Sequence, residues 1–126
     1  MERKISIEDD GMCFVCGKRN PIGLKVDFKL DSEGRLVGKF VPRKEFQGFK
    51  DVLHGGIIAT LMDEAMVSLL VKLGKKAVTS SFSMRLHKPA FTGEELTIVG
   101  RLVNDRGRIF EMSEHLFGFS KSLAIR

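Results

Sequence analysis

Two features of this 126-residue sequence combine residue types and spacing that can do chemistry. The first is His54-Gly55-Gly56, followed nine residues after the histidine by Asp63. Glycines where a helix begins leave its first backbone N–H groups without intrahelical partners, at the positive end of the helix dipole. With no Cβ in the way, a carbonyl can approach those donors. Losing one such donor costs roughly 3–4 kcal/mol of barrier. A Gly-Gly pair also serves simply to open a helix, so the carboxylate downstream decides the reading.

Asp63 has Ala59, Thr60, Met66 and Val67 as its helical neighbours, nearly all apolar. A carboxylate so placed is poorly solvated and a stronger base for it, able to activate water or to attack a carbonyl itself. Glu64 has the more polar neighbours Thr60 and Ser68 and reads as a structural hydrogen bond or salt bridge. His54 has no Ser or Cys nucleophile in a recognisable motif, so it forms no triad and is assigned to orienting its loop. Gln47 either reaches the reacting atoms or orders the same loop. The second feature, Cys13-x-x-Cys16, is half of a zinc knuckle. No second pair exists, and His54, His87 and His115 hold no fixed spacing to it. Two buried thiols are expected there, with no metal and no cofactor.

These residues need elements to position them. Residues 1–23 read as irregular, closing on the turn signal Asn20-Pro21-Ile22-Gly23. Strict apolar/charged alternation over 24–30 marks a strand, Asp31 to Gly34 a hairpin connection, and 35–41 the returning strand, ended by Pro42. Residues 43–53 form a loop. A helix is expected over 55–73, stopped by Gly74. Its apolar residues, from Ile57 to Leu70, cover most of the circumference, which marks a buried helix. Further strands are expected over 78–87, 95–103 and 108–117, the last two joined by a turn at 104–107, with a short final strand within 120–126. Hairpin links make the sheet largely antiparallel. One helix must cover its apolar face, so the sheet should curl around the helix, and a second copy related by two-fold symmetry would complete the helix's burial.

The whole chain reads as one α+β domain. Hydrophobic content of 43% and charged content of 29% describe an ordinary globular protein. The formal charge of +5 favours anionic partners. Its spread along the chain, without a helix-turn-helix or RNA-binding signature, argues against nucleic acid. No apolar run is long enough to span a membrane and the first ten residues lack the apolar core of a secretory signal. With two cysteines too close together to staple a fold, a cytoplasmic location is expected.

Order of elements and local sequence together resemble the hotdog-fold thioesterases, nearest the branch of phenylacetyl-CoA and small acyl-CoA thioesterases. The resemblance rests on Cys13-Phe-Val-Cys16-Gly17 with Asn20-Pro21-Ile22-Gly23-Leu24, on Phe46-Gln47-Gly48-Phe49, on His54-Gly55-Gly56 through Asp63-Glu64, and on Lys88-Pro89-Ala90 with Gly93-Glu94. It implies a hotdog fold, a curled antiparallel sheet of five to six strands around one long buried helix. It also implies hydrolysis of an acyl-CoA thioester, at sites built across the interface of a homodimer or of a dimer of such dimers.

The family's catalytic carboxylate falls on Asp63. Many relatives carry Asn six residues before the histidine, where this chain has Gly48 beside Gln47. Thr79 matches a hydroxyl residue that in some relatives holds the attacking water from the other subunit. Because the family binds the nucleotide near these segments, Arg85, His87, Lys88, Arg106 and Arg108 are the candidates for contacting coenzyme A. A non-catalytic acyl-CoA-binding or sensor protein on the same fold is the competing reading.

Overall fold

A computed structural model of the chain describes residues 3–75, 78, 79, 81, 83–86 and 88–105, and the backbone of 110–118 and 122–123. The alternating segment after the amino-terminal turns becomes β1 (Asp27–Leu30), which runs antiparallel to β2 (Leu36–Phe40) through the Asp31-to-Gly34 hairpin. Asp31 holds that hairpin. Its carboxylate accepts from the Arg35 backbone N–H at 2.8 Å and from Arg35 Nε at 2.7 Å, and these bonds keep its carboxyl below the usual aspartate range. The first strand is shorter than its alternation predicts, because Lys25 takes a left-handed backbone conformation (φ 56°) that ends the ladder before it reaches Leu24.

A one-turn 3-10 helix (Lys44–Phe46) precedes the single long helix, α1 (Gly55–Lys72), capped by Leu73 and followed by Gly74 at φ +80°. Then come β3 (Leu96–Asp105), β4 (Phe110–Gly118) and the two-residue β5 (Ser122–Leu123). The five strands form one antiparallel sheet in the order β1-β2-β3-β4-β5. Helix α1 packs against β1, β2, β3 and β4. The core lies between Ile58, Leu61, Met62, Ala65 and Leu69 of the helix and Phe28, Leu36, Phe40, Leu96 and Ile98 of the sheet.

Two expectations need correction. The segment 78–87 was expected to be a strand, yet none of its described residues joins a ladder. Of the alternating apolar residues there, Met84 packs on the core and Leu86 is exposed, while Phe82, like residues 80 and 87, lies outside the described residues. Alternation does not supply a hydrogen-bonding neighbour, and the sheet's strand order places β1 and β5 at its two edges. The turn expected at 104–107 begins later, since β3 continues to Asp105. Residues 106–109 lie outside the described residues.

The helix is not buried on every side. Ile58, Leu61, Met62, Ala65, Leu69 and Leu70 are buried, but Ala59, Asp63, Met66 and Val67 are only half-buried and Val71 is exposed. That second face stays partly open, and among the described residues Thr79 meets it at Asp63. No helix is long and apolar enough to cross a membrane among the described residues.

Candidate active site

The loop before α1 is fixed by backbone hydrogen bonds before any side chain contributes. His54 N–H donates to the Phe46 carbonyl at 2.9 Å, Gly48 N–H to Val52 at 2.8 Å and Leu53 N–H to Ala90 at 2.8 Å. Gln47 adds to this, its Oε1 accepting from the Asp51 N–H at 3.2 Å. That contact occupies its carbonyl with loop ordering.

His54 is the N-cap of α1. Its Nδ1 accepts from the Gly56 N–H at 2.8 Å, so a neutral ring carries its proton on Nε2. This contact separates two glycines that the sequence leaves equivalent. Gly56 has spent its donor on His54. A Cβ at Gly56 would sit 3.0 Å from His54 Nδ1 and press on the ring, so glycine there serves the cap. Gly55, at the first helical position, has no acceptor for its N–H among the described residues. A Cβ at Gly55 would meet only Leu86 Cδ1, at an ordinary 3.5 Å. Packing therefore does not require glycine at 55, and the free donor and the space in front of it remain to be used.

A cleft of about 550 Å³ opens at that point. Phe49, Ile58, Leu86, Pro89 and Ala90 give it apolar walls, His54 and Gly55 its polar end, and Lys88 a cation at the wall. Ala59, Met62 and Met66 of α1 are not among the residues lining this cleft, and Met62 is a core residue, 1% exposed. Phe49, 86% exposed, and Leu86, 49% exposed, went unnoticed because single exposed apolar residues carry no signal until a fold sets them side by side.

Asp63 is half-buried on the uncovered side of α1. Thr79 Oγ1 donates to its Oδ1 at 2.6 Å, so the two residues meet within one chain. Asp63 does not line the cleft at Gly55. Eight residues at about 1.5 Å rise put it roughly 12 Å farther along the helix, beyond the reach of one reacting carbonyl. Lys88 is exposed and lines the cleft, while Arg85 is exposed and not among the lining residues. His87, Arg106 and Arg108 lie outside the described residues.

Glu64 is not among the residues lining the cleft. Cys16 Sγ donates to Glu64 Oε1 at 3.2 Å, linking the amino-terminal segment to the helix. Both cysteines are half-buried free thiols, less enclosed than expected. Burial, followed by the Glu64 hydrogen bond, pushes the Cys16 thiol well above the usual cysteine range.

One long helix laid on a curled antiparallel sheet, between its second and third strands, defines a hotdog-fold protein. Residues 50–117 match the family model of the thioesterase superfamily, and the chain belongs to that superfamily. A solved thioesterase superfamily protein aligns with 25% identity and a TM-score of 0.77 over 82% of this chain, which spans 54% of that protein's length. The Escherichia coli PaaI protein of the phenylacetic acid degradation operon aligns at 20% identity and TM-score 0.74, covering 81% of this chain and 74% of its own. A hypothetical thioesterase of Streptococcus pneumoniae, solved with coenzyme A, gives 20% identity and TM-score 0.73, covering 79% and 78%. At 20% identity these last two likenesses are of fold. A comparison with functionally curated sequences gives no match.

Proposed function

We propose that this chain hydrolyses an acyl-CoA thioester to a carboxylic acid and free coenzyme A. The observation that carries the reading is the Gly55 N–H, without an acceptor among the described residues, at the polar end of an apolar-walled cleft. A thioester carbonyl placed there accepts from that donor, and the helix dipole favours the negative charge its oxygen gains on attack. Asp63 takes the proton from an attacking water as the water oxygen bonds to the carbonyl carbon. Collapse of the adduct breaks the C–S bond, and the proton held on Asp63 passes to the leaving sulfur, which departs as the thiol. Direct attack by Asp63, with water then cleaving an anhydride, is the variant form of the same step.

Within one chain Gly55 and Asp63 stand too far apart to serve one carbonyl, so the site takes Gly55 from one subunit and Asp63 from another. Two copies packed through the half-buried face of α1 give that arrangement and cover the face at the same time. The homodimer, or a pair of such dimers, is thus part of the proposal. Thr79 holds the Asp63 carboxylate, His54 holds the helix start and Gln47 the loop. Lys88 and Arg85, with His87, Arg106 and Arg108, supply cations for the coenzyme A phosphates. The pair of free thiols fits the reducing cytoplasm, where we place the activity.

The test is thiol release from a panel of acyl-CoA substrates by the wild-type protein, with Asp63→Ala as control. Turnover that disappears in the variant supports the reading. Tight acyl-CoA binding without turnover across the panel would make the chain a binding or sensor protein instead.

A further inference from the structure

The site above makes no use of the contact between the amino-terminal segment and the back of α1. There the Sγ atoms of Cys13 and Cys16 and a carboxylate oxygen of Glu64 all lie within 4.8 Å of one another. Two of these groups come from one turn and the third from a helix 48 residues beyond Cys16. The turn is rigidly built. Gly17 N–H donates to the Cys13 carbonyl at 2.9 Å, and a Cβ on Gly17 would fall 2.4 Å from the Cys13 nitrogen and 2.5 Å from the Gly11 carbonyl oxygen. Only glycine fits there, and the tight wrap brings the two thiols together. Leu24 N–H to the Phe14 carbonyl (2.8 Å) and Val26 N–H to Val15 (2.9 Å) fasten the same turn to the start of β1. Val15, 3% exposed, anchors it in the core.

Sulfur, sulfur and carboxylate oxygen form a donor set for a borderline-soft divalent ion. Among the described residues no cationic side chain is paired with Glu64, so a half-buried carboxylate faces two thiols with nothing of opposite charge beside it. In a tetrahedral site with metal–sulfur bonds of about 2.3 Å, neighbouring donors stand roughly 3.5–3.8 Å apart. The donor atoms, within 4.8 Å of one another, must close up by about 1 Å to reach that spacing.

We propose that Cys13, Cys16 and Glu64 bind one zinc ion per chain, with a water in the fourth position. On binding, the two thiol protons pass to solvent, and the two thiolates and one carboxylate leave the site one negative charge in excess of the zinc. The ion clasps the amino-terminal turn to α1 one residue beyond Asp63. Its role is structural, and it stands independent of the thioesterase reading.

The experiment uses the full chain, reduced with a phosphine that does not compete for metal. Titration with cobalt(II) is expected to give a thiolate-to-metal charge-transfer band that saturates at one ion per chain and is displaced by zinc. Zinc should also raise the melting temperature. Cys13→Ser and Cys16→Ser should each abolish the band, and Glu64→Gln should weaken zinc binding tenfold or more. If the cysteine variants do not fold, the wild-type titration and Glu64→Gln decide the matter alone. A reduced protein with both thiols titratable and no cobalt band would overturn the proposal. So would metal affinity unchanged by Glu64→Gln, or thiols that close to a Cys13–Cys16 disulfide in preference to holding zinc.

Discussion

The two ends of the candidate site lie on one helix and are built differently. At Gly55 everything is supplied locally: a pinned loop, a histidine cap, a free backbone donor and a cleft in front of it. At Asp63 the chain supplies a carboxylate and one hydroxyl partner, and then an uncovered helix face. A backbone donor can be positioned by local turns, because it belongs to the turn. A carboxylate in mid-helix is positioned by whatever packs over it, and among the described residues Thr79 does this for Asp63. On the reading proposed above, Gly55 is the finished half of the site and Asp63 the half that a second copy would complete.

Substitutions at the two ends should break this contrast in order of size. Asp63→Ala removes the group proposed to take the proton or attack, and kcat should fall by about 10²–10⁴-fold, with acyl-CoA binding retained in an equilibrium titration. Retention of full turnover would remove Asp63 from the chemistry. At the other end Gly55→Pro deletes the donor while respecting the helix. Proline is tolerated at the first helical position, and His54 already has the extended backbone (ψ 131°) that a following proline needs. A loss of roughly 10²–10³-fold in kcat is expected, at an unchanged melting temperature. Gly55→Ala, whose Cβ meets only Leu86, keeps the donor and should fold equally well, which separates a missing N–H from a changed helix start.

Smaller effects sharpen the contrast. Thr79→Val leaves the Asp63 carboxylate without its hydroxyl partner, and kcat should drop roughly tenfold, as for an exposed hydrogen bond to a charged group. Stability in a melting curve should hardly move. His54→Ala should do the reverse. It removes the cap on Gly56 N–H, costs about 1 kcal/mol of stability, and His54→Asn should recover most of that because asparagine also caps. If His54→Ala abolished turnover at full stability, the histidine would have to be moved from cap to chemistry.

What could be read from the sequence follows the same division. The helix limits, the hairpin joining β1 to β2 and the place of β3 follow from local periodicity and turn residues. So does the placing of His54, Gly55 and Asp63 on one element. Which glycine keeps its donor was not legible, since it depends on where an imidazole nitrogen lands. Nor was the meeting of Cys16 with Glu64, set by tertiary packing across 48 residues. The strand expected over 78–87 shows the converse limit. Alternation gave a side chain's face, while the missing quantity was a neighbour for the backbone. Cleft walls such as Phe49 and Leu86 come from separate loops and have no signature of their own.

The most direct measurement combines the two damaged ends. Asp63→Ala and Gly55→Pro chains, differently tagged and co-expressed, are purified as mixed dimers and assayed with an active acyl-CoA. If the site joins Gly55 of one copy to Asp63 of another, each mixed dimer holds one intact site, and an unsorted equal mixture recovers about one quarter of wild-type activity. Mixed dimers that form but show no more activity than the two parents would contradict a shared site and return Gly55 and Asp63 to separate roles.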